Sequence, residues 1–234
     1  DTTLVNSRDI AEQGLVNHFS LLTGEMASER LVKESVEAFC RQMESEEHAR
    51  KVFLQRINDY LYNPNSPYYN EKLYGVYLDC MLQSKVWDEA RKSTFRFKRE
   101  LIRRNNPGMK ATSFTYYLPD GRQCSLQHTS VKGDRMLLVF YDPECPNCHE
   151  VMEQLKRDAI LAQAVEKKKI TVLAIYTEGD DSVWKKTLPD MPKEWIVGND
   201  RQQVKDKALY DLKAMPSLYL LDGKKNVILK DVAY

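Results

Sequence analysis

The sequence has almost no net charge, no long apolar run and no repetitive segment. Its 35 basic and 34 acidic residues leave a formal net charge of +1 at pH 7. So small a charge favours neither a nucleic-acid surface nor an acidic partner. No apolar stretch approaches the roughly 18 residues of a membrane-spanning helix. What remains is a chain of one or two domains, long enough to bury a core.

Cysteine is scarce and its number is odd. Five cysteines do not make an even-numbered disulfide framework, and a 234-residue chain is too large to need one. The sequence has one C-x-x-C motif, without a second copy, whereas a structural zinc site usually takes four Cys or His ligands. The T-x-x-C context of a peroxidatic cysteine is also missing. Asp1 stands where an initiator methionine would be, so we expect an upstream segment to have been removed.

Residues 136–155 place two thiols between a strand and a helix. The apolar run 136–141 has the length and composition of a buried strand. Residues 142–144 end it, because Pro143 lacks the N–H that a central strand would donate. Cys145-Pro146-Asn147-Cys148 comes next. The residues after it that are spaced for one helical face are Val151, Met152 and Leu155.

This placement predicts dithiol–disulfide exchange. Cys145 would begin the helix, where unpaired N–H groups and the helix dipole stabilise a thiolate. The two-residue gap keeps Cys148 within reach, as a cyclic disulfide requires. A bare C-x-x-C is equally half of a zinc site, so zinc binding and an inert pair stay open. The strand before the motif and the helix after it favour the redox interpretation.

The first half of the sequence predicts helices only. Ser28 and Ser45 are the expected N-caps of the second and third helices. The fifth helix is expected over residues 85–104, and the turn at 105–108 then marks a domain junction. The predicted inward-facing residues are Ala11, Leu15, Phe19 and Leu22, then Leu31, Val32, Val36, Phe39, Cys40 and Met43, then Phe53, Ile57, Tyr60 and Leu61, then Leu73, Val76, Tyr77, Cys80 and Met81, and finally Trp87, Ala90, Thr94, Phe97 and Leu101.

The second half changes to strand periodicity. A hairpin is predicted around Asp120-Gly121, and a second buried strand over residues 170–176. The stretch between the two buried strands holds a helix, which predicts a right-handed βαβ crossover. The remaining predictions are a short helix at 183–188, a short strand at 195–197, a helix at 203–211 and a closing hairpin from strands at 217–221 and 226–230.

The other cysteines and the lone histidines are interpreted as structural. Cys40 and Cys80 lie on apolar helix faces, as small core residues do. A disulfide between them in an oxidising compartment remains open. Cys124 alternates in phase with the inward-facing strand positions, with a third redox thiol as the alternative. His18 and His48 are expected in surface or packing roles.

Several motifs together carry a resemblance to a known family. They are Phe114, Asp120-Gly121, Cys145-Pro146-Asn147-Cys148, Ala214-Met215-Pro216-Ser217 and Asp222-Gly223. Residues 107–234 thereby resemble the TlpA/ResA-like thiol–disulfide oxidoreductases, which implies an α/β thioredoxin-like fold with a central mixed sheet flanked by helices. Residues 1–106 would form an all-α helical domain before it. The pair of halves is similar to uncharacterised two-domain proteins of Bacteroidetes.

The resemblance also implies a cellular location and further parts of the protein. Such proteins are exported to the periplasm and are often lipid-anchored, here through a segment outside this chain. The family places a last helix over the sheet, where this sequence ends at Tyr234. We therefore expect that helix to be missing, or that face to be covered differently.

Roles at the site follow from the resemblance as well. Cys145 is the expected nucleophile and the more buried Cys148 the resolving thiol. The Met215-Pro216 bond is expected to be cis, in a loop that lies against the motif and pairs with the substrate chain. Pro146 and Asn147 would contact substrate too. Neither a metal nor a cofactor is implied beyond the Cys145–Cys148 disulfide.

Two positions depart from the family pattern. Glu144 stands where many relatives have tryptophan, and its charge opposes a thiolate on Cys145. Val151 replaces a buried glutamate that accepts a proton in many relatives. Proton transfer from Cys148 is therefore expected to use Glu150, His149 or water.

The sequence thus predicts a thiol–disulfide oxidoreductase. The resemblance implies a periplasmic protein-disulfide reductase that acts on protein disulfides and takes electrons from an upstream redox partner. The alternative is a non-catalytic thioredoxin-like module that binds a peptide or protein. Glu144 and Val151 favour the module, and the intact Cys145/Cys148 pair favours the enzyme.

Overall fold

The chain forms two compact units, Asp1–Ile102 and Arg103–Tyr234. The computed structural model describes residues 8–25 and 27–231, with side chains from residue 12 onward. The predicted inward position of Ala11 lies outside the described side chains. Within those ranges, no helix is both long and apolar enough to cross a membrane.

The regular elements of the N-terminal unit are all helices in its described part, as predicted. Its helices are α1 Arg8–Thr23, α2 Glu29–Glu44, α3 Glu47–Ile57, α4 Glu71–Gln83 and α5 Glu89–Leu101, and a single π-helical turn over Asn58–Tyr62 extends α3. One apolar cluster joins all five, because each turns a stripe of large side chains inward. His18 stacks on Phe39 in this cluster with ring centroids 5.2 Å apart, which is a packing role.

One of the two predicted helix caps is wrong. The Ser28 hydroxyl accepts the Leu31 N–H at 3.2 Å, as expected for an N-cap. The N-cap of α3 is Glu46 instead, whose carboxylate accepts two backbone N–H groups at 3.0 and 2.7 Å. Ser45 belongs to the preceding helix end, where its hydroxyl donates to the Gln42 carbonyl at 2.7 Å. A charged acceptor that reaches two donors is stronger than a single hydroxyl.

The inward face of α5 also differs from the prediction. Asp88 accepts the Arg91 N–H at 2.8 Å, so the helix begins at Glu89 rather than near residue 85. Phe97, predicted to face inward, is 50% exposed, and the buried aromatic residue is Phe95, which is 3% exposed. Trp87 lies before the helix and packs edge-on against Phe95. Ala90 and Thr94 were also predicted to face inward from α5 and are exposed, as is Leu31 on α2.

The C-terminal unit is built on a seven-stranded mixed sheet, as predicted. The strands are β1 Thr115–Tyr117, β2 Gln123–Ser125, β3 Arg135–Tyr141, β4 Ile170–Tyr176, β5 Ile196–Asn199, β6 Ser217–Asp222 and β7 Val227–Lys230. Their order in the sheet is β2-β1-β5-β4-β3-β6-β7. β3 lies parallel to β4 and antiparallel to β6, as a βαβ unit with a closing hairpin requires. Gly121 turns the first hairpin with a φ of 86°, which glycine adopts without strain.

Helices cover both faces of the sheet. They are α6 Pro146–Arg157, α7 Ala159–Glu166, α8 Asp181–Thr187 and the short α9 Gln203–Asp206. Leu138 and Phe140 face one apolar cluster while Val139 and Tyr141 face the other, so β3 is buried on both sides. Because β3 is an interior strand, the C-x-x-C motif that follows it begins near the middle of the domain.

Two helix predictions in this unit need correction. The crossover from β3 to β4 holds two helices rather than one. Asp158 separates them and accepts the Ile160 and Leu161 N–H groups as the N-cap of α7. The helix expected over 203–211 stops at Asp206, because Ala208 has a φ of 47° and leaves the helical region.

Candidate active site

Strand β3 and helix α6 present the two thiols at a tight turn. The turn is closed by the Asp142 side chain, which accepts the Glu144 N–H at 3.0 Å, and by its carbonyl, which accepts the Cys145 N–H at 3.2 Å. Cys145 is the N-cap residue of α6, and Pro146 occupies its first turn. Proline suits this position because its missing N–H would have no partner there. The motif thus adopts the strand–turn–helix arrangement predicted from the sequence.

The two thiols differ in burial, and burial changes the proton affinity of Cys148. Cys145 is half-buried and Cys148 is fully buried, and neither is in a disulfide. Burial raises the pKa of Cys148 to about 12, against the lowering effect of the Asp142 N–H that donates to its sulfur at 3.4 Å. A hydrogen bond with Cys145 raises it further, which places the two thiols in contact. Cys148 therefore keeps its proton at neutral pH while Cys145 is the one open to solvent.

A loop before β6 completes the site. The Met215-Pro216 peptide bond is cis, as predicted. The Met215 carbonyl lies 3.9 Å from the Cys145 sulfur and accepts the Asn147 side-chain amide at 2.9 Å. The structure thus brings Cys145, Asn147, Met215 and Pro216 together. In this arrangement Asn147 ties the motif to the loop.

This loop is anchored by a buried ion group that was not predicted from the sequence. Lys213 contacts Asp231 at 2.5 Å and Asp211 at 3.6 Å, and all three side chains are at most 5% exposed. Ser217 donates to the Ala214 carbonyl at 2.6 Å on the other side of the proline. Lys213 and Asp231 are far apart in sequence, so no local pattern links them.

The predicted proton-transfer residues are placed differently from one another. His149 borders a cavity of about 100 Å³ that also touches Cys148, whereas Glu150 does not line it. Glu153 lines the same cavity. Its carboxylate accepts a hydrogen bond from the Lys156 ammonium, which lowers the pKa of the carboxyl. A cavity of this size has room for water beside the buried thiol. Val151 is half-buried and offers no proton acceptor.

Glu144 directly precedes Cys145 and is exposed, so water and salt screen its charge. Cys124, by contrast, lies away from the two thiols. Cys124 is in β2, which three strands separate from β3, and it packs beside the cluster that holds Tyr116 and Leu126. Among the side chains that the structure describes, no three His, Cys, Asp or Glu groups come together to hold a metal ion.

Comparisons with known proteins agree with this division of the chain. Residues 1–105 match a domain of unknown function (DUF5106), and residues 133–227 match a thioredoxin-like family. A thioredoxin-like protein from Bacteroides caccae ATCC 43185 is 36% identical, with a TM-score of 0.84 over 100% of this chain and 83% of that one. No curated protein is similar enough to match the chain.

Two further solved structures resemble about half of this chain. The C-terminal domain of an uncharacterized protein from Bacteroides fragilis NCTC 9343 is 40% identical, with a TM-score of 0.52 over 55% of this chain and 91% of that one. A conserved protein of unknown function from Bacteroides fragilis is 37% identical, with a TM-score of 0.51 over 55% of this chain and 93% of that one.

Proposed function

This chain belongs to the thioredoxin-like proteins that carry an N-terminal DUF5106 domain, and we propose that it is a thiol–disulfide oxidoreductase. One observation carries the proposal: a half-buried thiol at a helix N-terminus contacts a fully buried thiol one turn further on. An accessible nucleophile beside a protected second thiol is the arrangement that two-step disulfide exchange requires. Cys145 is the nucleophile and Cys148 the resolving thiol.

The exchange proceeds in two balanced steps. The Cys145 thiolate attacks one sulfur of a substrate disulfide, the substrate S–S bond breaks, and the other substrate sulfur leaves as a thiolate. Cys148 then loses its proton and attacks the Cys145 sulfur, which releases the second substrate thiolate. The substrate gains two electrons and the Cys145–Cys148 pair becomes a disulfide. Because the pKa of Cys148 is about 12, its proton must pass to an acceptor, for which the cavity that His149 and Glu153 line provides room.

The substrate we propose is a protein disulfide. The backbone of Met215 lies beside the Cys145 sulfur, so an extended substrate chain that meets the thiol also meets this loop. Pro146 and Asn147 follow the thiol directly in the chain and are exposed. Met215, Pro216, Pro146 and Asn147 together would border the substrate chain.

The direction and place of the reaction rest on the family resemblance. We propose a protein-disulfide reductase in the periplasm, re-reduced by an upstream redox partner and attached through a lipid anchor outside this chain. Catalysis needs no cofactor beyond the Cys145–Cys148 pair.

The second candidate is a non-catalytic module that binds a peptide or protein beside Met215. Two observations favour it: exposed Glu144 puts a negative charge next to the nucleophile, and Val151 provides no buried carboxylate. Such a module would keep the fold and the groove without turnover.

Reduction of insulin by dithiothreitol separates the two candidates. We expect the wild-type chain to accelerate precipitation of the insulin B chain, and Cys145→Ser to return the rate to that of dithiothreitol alone. Cys124→Ser is the matched control, because it removes a thiol on a distant strand, and it should keep the wild-type rate. A wild-type chain that adds nothing to the dithiothreitol rate would favour the binding module.

A further inference from the structure

A second pair of thiols meets inside the helical unit. Cys40 is on α2 and Cys80 is on α4, about 40 residues later, and both are free. Both side chains belong to the apolar cluster of this unit, where helices α2 and α4 pack against each other. We propose that Cys40 and Cys80 are a second redox pair, which a small disulfide-bonded oxidant of the glutathione type converts to an intramolecular disulfide. The proposal is independent of the chemistry at Cys145.

The two thiols differ in exposure and in pKa, as a nucleophilic and a resolving thiol do. Cys40 is 1% exposed, whereas Cys80 is only half-buried and lines a cavity of about 860 Å³ that opens on the surface of the unit. The hydrogen bond from Cys40 lowers the pKa of Cys80, and the same bond together with burial raises the pKa of Cys40. Cys80 therefore ionises first and is the one that an oxidant can reach.

The cavity suits a small ligand that carries both signs of charge. Its rim bears the Arg99–Asp79 pair at 2.7 Å and the Lys72–Glu29 pair at 2.8 Å. The Lys72–Glu29 pair is exposed, so it contributes little to stability and can exchange for ligand groups. Glutathione disulfide has carboxylates and ammonium groups on a flexible peptide, and it brings its own S–S bond to Cys80.

A buried hydroxyl also lies within the electrostatic reach of both thiols. Tyr77 is fully buried, and its hydroxyl has no hydrogen-bond partner among the described residues. Burial first, and then charge on Cys40 and Cys80, raises the pKa of Tyr77. The phenol consequently stays protonated and adds no negative charge beside the two sulfurs.

The proposed oxidation is a balanced exchange. The Cys80 thiolate attacks one sulfur of the oxidant and displaces one oxidant thiolate, which leaves a mixed disulfide on Cys80. Cys40 then loses its proton, attacks the Cys80 sulfur and displaces the second oxidant thiolate. Two protein thiols lose two electrons, and one oxidant disulfide becomes two thiols.

Differential alkylation of the full chain tests this proposal. The reduced chain is equilibrated with glutathione disulfide, quenched with acid, alkylated with N-ethylmaleimide and digested without reductant for mass spectrometry. We expect a peptide that links Cys40 to Cys80 in most molecules, separate from the one that links Cys145 to Cys148. Cys124 is the internal comparison and should yield no linked peptide.

Single variants identify the order of the steps. In Cys40→Ala, Cys80 should hold glutathione as a stable mixed disulfide. In Cys80→Ala, Cys40 should stay unmodified until denaturant is added, with circular dichroism to check that each variant is folded.

Two results would overturn the proposal. One is a wild-type chain that yields the Cys145–Cys148 linkage without the Cys40–Cys80 linkage. The other is folded Cys40→Ala in which Cys80 takes up no glutathione. A Cys40–Cys80 linkage without one at Cys145–Cys148 would support this proposal and count against the proposed function, so the two are distinguishable.

Discussion

At the scale of single residues, burial separates the tasks of the two active-site thiols. Cys148 is fully buried, and its sulfur accepts only a weak 3.4 Å contact from a backbone N–H. A thiolate there would lack the solvation that water gives it, so burial raises the pKa of Cys148 to about 12. Cys145 is open enough to meet a substrate, while Cys148 reacts only after a mixed disulfide has formed beside it.

The raised pKa of Cys148 predicts a loss of stability at high pH. An unfolded thiol has a pKa of about 8.5, so between this value and about 12 the folded chain binds the proton more tightly. The stabilisation is complete below the unfolded pKa and is lost as the pH rises through the folded one. The slope from this thiol is at most about 1.4 kcal/mol per pH unit.

Urea unfolding of the reduced chain at roughly pH 8.5 and 10.5 measures this effect. Wild type should lose more free energy of unfolding across the interval than Cys148→Ala, because other groups titrate equally in both. Equal losses in the two proteins would show that Cys148 keeps an ordinary proton affinity.

At the scale of elements, the site depends on the strand–turn–helix unit and on the loop that faces it. The unit is local in sequence, and an apolar run, a proline break and a two-residue thiol spacing were enough to predict its form. The loop is held by a residue distant in sequence, because Lys213 pairs with Asp231, which directly follows β7. Charged residues next to apolar strands give no sign that they will be buried together, so this contact was missed.

Breaking this buried ion group should destabilise the C-terminal unit. Lys213→Met leaves two carboxylates without their shared cation, and removal of one partner from a buried pair costs about 3–5 kcal/mol. The matched control is Lys207→Met on an exposed position, which should change stability by less than about 0.5 kcal/mol. Urea unfolding measures both, and a similar small effect in the two variants would contradict an anchoring role.

Element boundaries were the least predictable feature of the fold. Ser45 had the side chain of a good N-cap, yet Glu46 caps the helix because its carboxylate reaches two N–H groups. Because Trp87 was counted as a helical position of α5, the predicted inward face included Phe97, whereas the buried aromatic residue is Phe95. Helix faces repeat every 3.6 residues, so neighbouring registers look alike until tertiary packing selects one.

At the scale of the whole molecule, each unit has its own apolar core and its own pair of thiols. The Cys40–Cys80 pair bridges α2 and α4 within the helical unit, and the Cys145–Cys148 pair spans one turn of α6. From the sequence, Cys40 and Cys80 were interpreted as core residues, with a disulfide between them as an alternative, because no local spacing joins them. Only the packing of two helices brings them together.

Oxidation of Cys40 and Cys80 should stabilise the helical unit. A disulfide here closes a loop of about 40 residues, for which the chain-entropy estimate is about 3 to 4 kcal/mol. Urea unfolding of the oxidised and reduced forms, both in a Cys145→Ser/Cys148→Ser background, measures the difference. In the same background, Cys80→Ala should show no difference between the two conditions, and equal stability of the two forms of the Cys40/Cys80 chain would exclude the predicted gain.

Trapping of the mixed disulfide tests the assignment of Cys145 and Cys148 most directly. Reduced Cys148→Ser and reduced Cys145→Ser are each incubated with a peptide that contains one disulfide, and the adduct is located by mass spectrometry. We expect Cys148→Ser to accumulate the peptide on Cys145, and dithiothreitol to release it. Cys145→Ser should form no adduct on buried Cys148, whereas an adduct there, or none on Cys145, would contradict the assignment.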